Sequence, residues 1–340
     1  MKKIFLGLCI VLGLVSLTAC DGNTSITYVD QNGEEQTLKV TATNDKETIQ
    51  TVLNYASKAN YEDIESFTLK ESVSLNGSFT EEMNSVIGYD TNVKLSGSAD
   101  FTLNVDKTNG LDLSASGKVA LGKEMQGSIK LDALYEGSLE KLATSGEYLY
   151  INANYEIKAL GDSSKSSIKR AIDTNTFIDE IEDELDKFFP TNPPSIGDED
   201  GVTTVEEFYE KFKNSKLAIS SVKNGVIYLD ATLALKDIIE DEDITEFLPQ
   251  NVLNSSLAFT FGIEASTGRF RELSYKFDDI NMINAVIGAL INRQFFDTAP
   301  SASMDFLKTF CFENKLSIEY NKAKIRTLSS TEKAKYEVVE

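Results

Sequence analysis

The chain of 340 residues contains no histidine and no tryptophan. Without imidazole there is no histidine general base, no Ser-His-Asp triad and no metal site that needs a nitrogen ligand from histidine. Positive charge is also scarce: 33 Lys+Arg stand against 54 Asp+Glu, a formal net charge of −21. The excess acid is spread along the chain, which argues against a nucleic-acid binder. No Gly-rich phosphate loop follows a strand pattern, and no serine has a recognisable base, so no enzyme is expected and no cofactor is implied. What is present is ample for a packed body: apolar residues make up 41% and aromatic residues 9%. Disorder is therefore not the expectation.

The first residues are Met1-Lys2-Lys3, followed by an apolar run from Ile4 to Leu17 and then Leu17-Thr18-Ala19-Cys20. The run is short for a bilayer span, which takes about 20 residues, and small residues follow it, so it reads as a secretory signal over residues 1–19. Leu17-Thr18-Ala19-Cys20 resembles the lipobox of bacterial lipoproteins. The resemblance implies a diacylated Cys20 at the mature N-terminus and a location on the extracytoplasmic face of the cell membrane, lipid-anchored. Two acyl chains hold stably where one holds marginally. Loss of Lys2 and Lys3 would bring the charge to about −23. Cys9 would leave with the signal, so Cys311 would stand without an internal disulfide partner. Beside Phe306, Leu307 and Phe310 it reads as a small core hydrophobe.

Further along, Ile26 to Val40 reads as a hairpin around Asn32-Gly33, and residues 20–44 as a lipidated start with a short tether. Asn44 or Asp45 caps an expected helix bearing Ile49, Val52, Leu53 and Ala56 on one stripe. From Phe67 to Leu139, apolar or small residues take nearly every odd position while even positions carry Ser, Lys, Asp, Thr and Asn. Period two over such lengths predicts long antiparallel strands with one dry face and one wet face. Gly77, Gly97, Gly117, Gly127 and Gly137 fall on the dry face, where they permit bending, so the sheet is expected to be curved. Tyr148 to Ile157 continues as strand. Thr174 to Phe189 predicts a helix ended by Pro190, and Thr204 with Glu207 a capping box. Hairpins follow at Asn224-Gly225 and Ser266-Thr267-Gly268, then a helix over Ile280 to Ile291 and a last strand over Asn314 to Ala323. The tail, residues 326–340, shows no apolar period. The fold class expected is α+β: a long curved antiparallel sheet, or half-barrel, with helices on its concave face, forming a single domain over residues 45–325.

This organisation, together with Thr267-Gly268-Arg269 leading into Leu273 to Phe277, resembles the lipoprotein-carrier superfamily, which includes glycolipid-carrying mycobacterial lipoproteins. The resemblance implies helices closing a concave sheet around an apolar cavity. Candidate cavity residues on the dry face are Gly97, Phe101, Leu113, Gly117, Leu131 and Tyr135. Glycines and alanines there leave less side-chain volume than a filled core needs, so an acyl chain or other lipid is the expected ligand. The partners expected are the membrane, through the anchor, and that ligand. The alternative is a surface-displayed protein with a filled core that binds a partner. A calcium loop is also considered over Asp198, Asp200, Gly201 and Glu207; Ile196 at its first position lacks the needed carboxylate, so a solvated acidic linker is expected and no metal is assigned.

Overall fold

A computed structural model of the chain describes residues 22–29, 33–86, 93–123, 125–139, 147–174, 206, 209–210, 215–238, 250–253, 255–295 and 305–339. Cys20 and the signal, the expected helix over 174–189 beyond Thr174, and the acidic linker with its calcium and capping-box candidates lie outside these residues.

The described chain is mostly β with few helices. Hairpin strands β1 (Asn23–Val29) and β2 (Glu35–Thr41) precede helix α1 (Lys46–Ser57). Long strands follow: β3 (Ser66–Phe79), β4 (Lys94–Asp106), β5 (Gly110–Leu121), β6 (Met125–Glu136), β7 (Tyr148–Ala159) and β8 (Asp162–Asp173). Between β3 and β4 lies the short α2 (Glu81–Val86). After β9 (Lys216–Lys223) and β10 (Val226–Ala234) come the one-turn helices α3 (Leu235–Ile238) and α4 (Gln250–Leu253). The chain then forms β11 (Ser256–Glu264), β12 (Phe270–Phe277), α5 (Ile280–Phe295), β13 (Leu307–Tyr320), α6 (Ser330–Lys333) and β14 (Glu337–Val339).

Twelve of these strands make one large, curved, unclosed sheet in the order β14-β8-β7-β6-β5-β4-β3-β13-β12-β11-β10-β9. The two strand blocks meet where β3 pairs antiparallel with β13, from Phe67 opposite Tyr320 to Phe79 opposite Leu307. Register keeps odd residues of β3 through β7 on one face and even residues on the other, as period two requires. Asn224 and Gly225 turn between β9 and β10 with φ of 52° and 73°, the left-handed pair a tight hairpin needs.

The best-buried core lies at one side of the sheet. Ile26 and Val40 of the hairpin and Ile49 and Val52 of α1 are fully buried against Ile219, Ile227, Leu229 and Ile263 of β9 through β11. The hairpin is thus part of the core rather than only a tether, and Thr43 bridges to Ile219 to hold it there. Asp45 caps α1 by accepting from the Thr48 amide at 2.8 Å. Those two hydrogen bonds from Thr48, side chain and backbone, hold the Asp45 carboxyl below its usual range. Beside this core, Leu235, Val252, Leu253 and Met282 of α3 through α5 gather on Leu257 and Phe277. A second fixed point joins the loop after α1 to the turn between β11 and β12. The buried Arg269 side chain donates to the Asn60 carbonyl at 2.7 Å, pairs with Asp63 and lies over the Tyr61 and Tyr320 rings.

Several expectations need correction. Residues 162–173, without an assignment in the sequence pattern, form β8, because the backbone pairs with β7 along its whole length although its side chains are nearly all polar. The last strand begins at Leu307, not Asn314. Cys311 stands opposite Asn76, on the polar face and half-buried, because its neighbours Phe310 and Phe312 take the apolar side. The tail is also ordered: it crosses the even face, with Arg326 on Asp112 at 3.1 Å and Lys333 on Glu136 at 2.6 Å, and ends as β14 parallel to β8. A capping box between Ser329 and Glu332 starts α6. The wet face is therefore dry under the tail, where Leu134 and Ala171 are buried. The dry face, in turn, is open over part of its area.

Candidate functional site

The apolar face continues across the whole sheet, and among the described residues its cover does not. Over β5 through β8 the side chains of Val119, Ile129, Ile157, Met125, Tyr155 and Ile168 all point from this face or its margin into solvent, with Val119 and Ile129 each 55% exposed. Register places them as one patch: Val119 stands opposite Gly127, which stands opposite Ile157, while Gly117 faces Ile129 and Ile129 faces Tyr155. Leu160, at the tip of the β7–β8 turn, is 81% exposed and adjoins the patch. Single exposed apolar residues are ordinary, but a contiguous group on one sheet face marks a binding surface.

Of the residues expected to line a cavity, Gly97, Phe101, Gly117 and Leu131 lie in or beside this patch. Phe101, Ala115 and Leu131 form one cross-strand row, and Gly97 stands opposite Val119. Leu113 lies one row further in, opposite Leu103 and Ala133. Tyr135 is buried and its hydroxyl donates to the Ser138 carbonyl at 3.3 Å, so it supports the inner end of the face instead of lining the open part. The glycines do not leave empty space. Ile129 leans over Gly117 and Val119 over Gly127, each bringing a methyl to 3.3 Å of where a Cβ would be. A glycine opposite a branched side chain lets that side chain lie down on the sheet, which makes an apolar floor rather than a hole.

At the inner border of the patch sits a polar pair that the sequence reading passed over. Glu71 occupies an odd position between Leu69 and Val73, and Asn314 an equivalent position between Phe312 and Leu316. Asn314 is buried and donates through Nδ2 to Glu71 Oε1 at 2.6 Å, while its own Oδ1 is buried without a hydrogen-bond partner among the described residues. An unpaired buried amide oxygen is costly, on the order of 1–3 kcal/mol. The signal was available: Glu71 breaks an otherwise apolar odd period. From Glu71 the row runs through Phe101, Ala115, Leu131 and Ala153 to Ile168. At about 4.8 Å per strand that path is roughly 24 Å long.

Among the described residues no group of three or more Cys, Asp or Glu is arranged to hold a metal, and no helix is long and apolar enough to cross a membrane. No family model matches the chain, and no curated protein matches it. A β-barrel-like protein of a domain of unknown function from Brucella abortus is similar in structure with a TM-score of 0.21 and 8% identity, covering 76% of this chain and 99% of that one. A likeness so distant has no bearing on function.

Proposed function

We propose that this chain is a lipoprotein held through Cys20 at the extracytoplasmic face of a membrane, where it binds an apolar chain such as a lipid acyl tail. The observation that carries the reading is the exposed patch of Val119, Ile129, Tyr155 and Ile157 on a face that is sealed elsewhere by α1 and the β1–β2 hairpin. An acyl chain laid along the row from Glu71 to Ile168 would gain about 0.8 kcal/mol for each CH₂ removed from water. Glu71 would accept a hydrogen bond from a hydroxyl or amide at its polar end. The helices that gather on Leu257 and Phe277 would close the half-barrel beside it.

Three measurements test this. Cells fed an alkyne fatty acid should label the wild-type chain and not Cys20→Ala. Organic extracts of the Cys20→Ala protein should contain lipid in proportion to protein, and Ile129→Ser with Ile157→Ser should reduce its uptake of a fluorescent fatty acid about tenfold. Equal labelling of Cys20→Ala removes the anchor. No recovered lipid and no uptake favours the other reading, in which the open patch receives a protein partner.

A further inference from the structure

The polar side of the same strands carries a site of different chemistry. Two adjoining hollows of about 490 and 570 Å³ open on the even face of β3 through β8 and share Lys118, Ser128 and Glu156. Both volumes fall in the range of ligand pockets. Lys158 lines the first, and Lys130 and Lys165 line the second. Among the described lining residues Glu156 is the sole acid, so four ammonium groups meet one carboxylate on a chain whose net charge is −21. The remaining lining mixes serine hydroxyls and side-chain amides, from Ser74 and Asn76 across to Asn154 and Ser167, with apolar surface from Val119, Ala120, Ile129 and Tyr155.

The lysines are not equivalent. Lys165 and Lys158 approach Glu156 Oε1 at 3.2 and 3.3 Å and keep its carboxyl below the usual range, so those charges are partly spent within the groove. Lys118 and Lys130 have no ion pair among the described residues. Register sets Lys118 opposite Ser128, which makes Lys130 its diagonal neighbour, about 7–8 Å away. Two unpaired cations in a concave surface focus the field toward an anion, while hydroxyls and amides offer hydrogen bonds to a polyol.

We infer that this groove binds an anionic glycan, a polyhydroxylated chain bearing carboxylate or phosphate groups, with Lys118 and Lys130 holding the charges and Glu156 accepting from a sugar hydroxyl. A nucleic acid is disfavoured, since bases need aromatic platforms and the chain as a whole repels phosphate polymers. The groove's lysines and Glu156 stand on the face opposite the apolar patch, with Val119, Ile129 and Tyr155 contributing to both linings, and the inference does not depend on the reading given above.

The test is fluorescence polarisation of labelled oligogalacturonate against the Cys20→Ala chain, which carries no acyl anchor, in detergent-free buffer, with a neutral dextran oligomer of equal length and vesicles containing phosphatidylglycerol as further arms. The expected result is binding of the acidic oligomer alone, weakened by salt and reduced about tenfold in Lys118→Gln with Lys130→Gln. Unchanged thermal melting of the double variant excludes a folding defect. Equal binding of the neutral oligomer, equal binding by the double variant, or capture of vesicles in place of the oligomer each overturns the inference.

Discussion

The two halves of the sheet are built from the same alternating pattern and end in opposite states. In β9 through β11 the apolar side chains Ile219, Ile227 and Leu229 are sealed under α1 and the hairpin, whereas in β5 through β8 Val119, Ile129 and Ile157 meet water. An apolar face is therefore a requirement for cover, and among the described residues that requirement is met in one half only. The open half is longer-stranded and bears its glycines where branched neighbours can lie flat. The sealed half does what a core does, and the open half is free to do something else.

The largest effect that could break this comparison is a pair of matched substitutions. Ile227→Ala should cost about 3 kcal/mol in urea unfolding, because it leaves a cavity in a fully buried site. Ile129→Ala should change stability by less than about 0.5 kcal/mol. Similar losses at the two positions would mean that the open half is covered.

A smaller effect sharpens the anchorage of the sealed half. Arg269→Met should cost about 2 kcal/mol, since it removes the hydrogen bond to the Asn60 carbonyl and the stacking over Tyr61 and Tyr320 while leaving Asp63 mostly in water. Burial first, and then neighbouring Tyr61, pushes the Tyr320 phenol well above its ordinary value. Hydrogen exchange of the loop carrying Asn60 should rise in the variant, and an unchanged rate would show that the arginine is not the clamp.

The smallest effect concerns the tail that covers the other face. Glu136 raises the Lys333 pKa above its ordinary 10.5, so the folded chain binds this proton more tightly than the unfolded chain. The resulting stabilisation is complete below the unfolded value and is lost as pH rises through the folded one. The pair is partly exposed, so the change should be under about 1 kcal/mol. The difference in urea-unfolding free energy between the wild type and Lys333→Met should be present at neutral pH and shrink as pH rises above 10.5. A pH-independent difference would remove the ion pair from the account.

The sequence by itself determined what depends on neighbours a few residues apart. Period two from Phe67 to Leu139 specified strands and which residues share a face, Asn224-Gly225 specified a hairpin, and Asp45 with Ile49 and Val52 specified a capped amphipathic helix. Strand β8 was not legible, because Ser163 to Ser167 offer no apolar alternation and only pairing with β7 makes them strand. The tail was not legible either, since Arg326, Lys333 and Tyr336 find Asp112, Glu136 and Tyr150 only across the folded sheet. The tertiary structure alone decided that β3 lies beside β13, that one half of the apolar face is covered, and that Glu71 meets Asn314. It also decided that four lysines from four strands converge on one groove. The physical reason is that local pattern fixes the direction in which a side chain points, while the group that stands opposite depends on strand order and on contacts between residues more than two hundred positions apart.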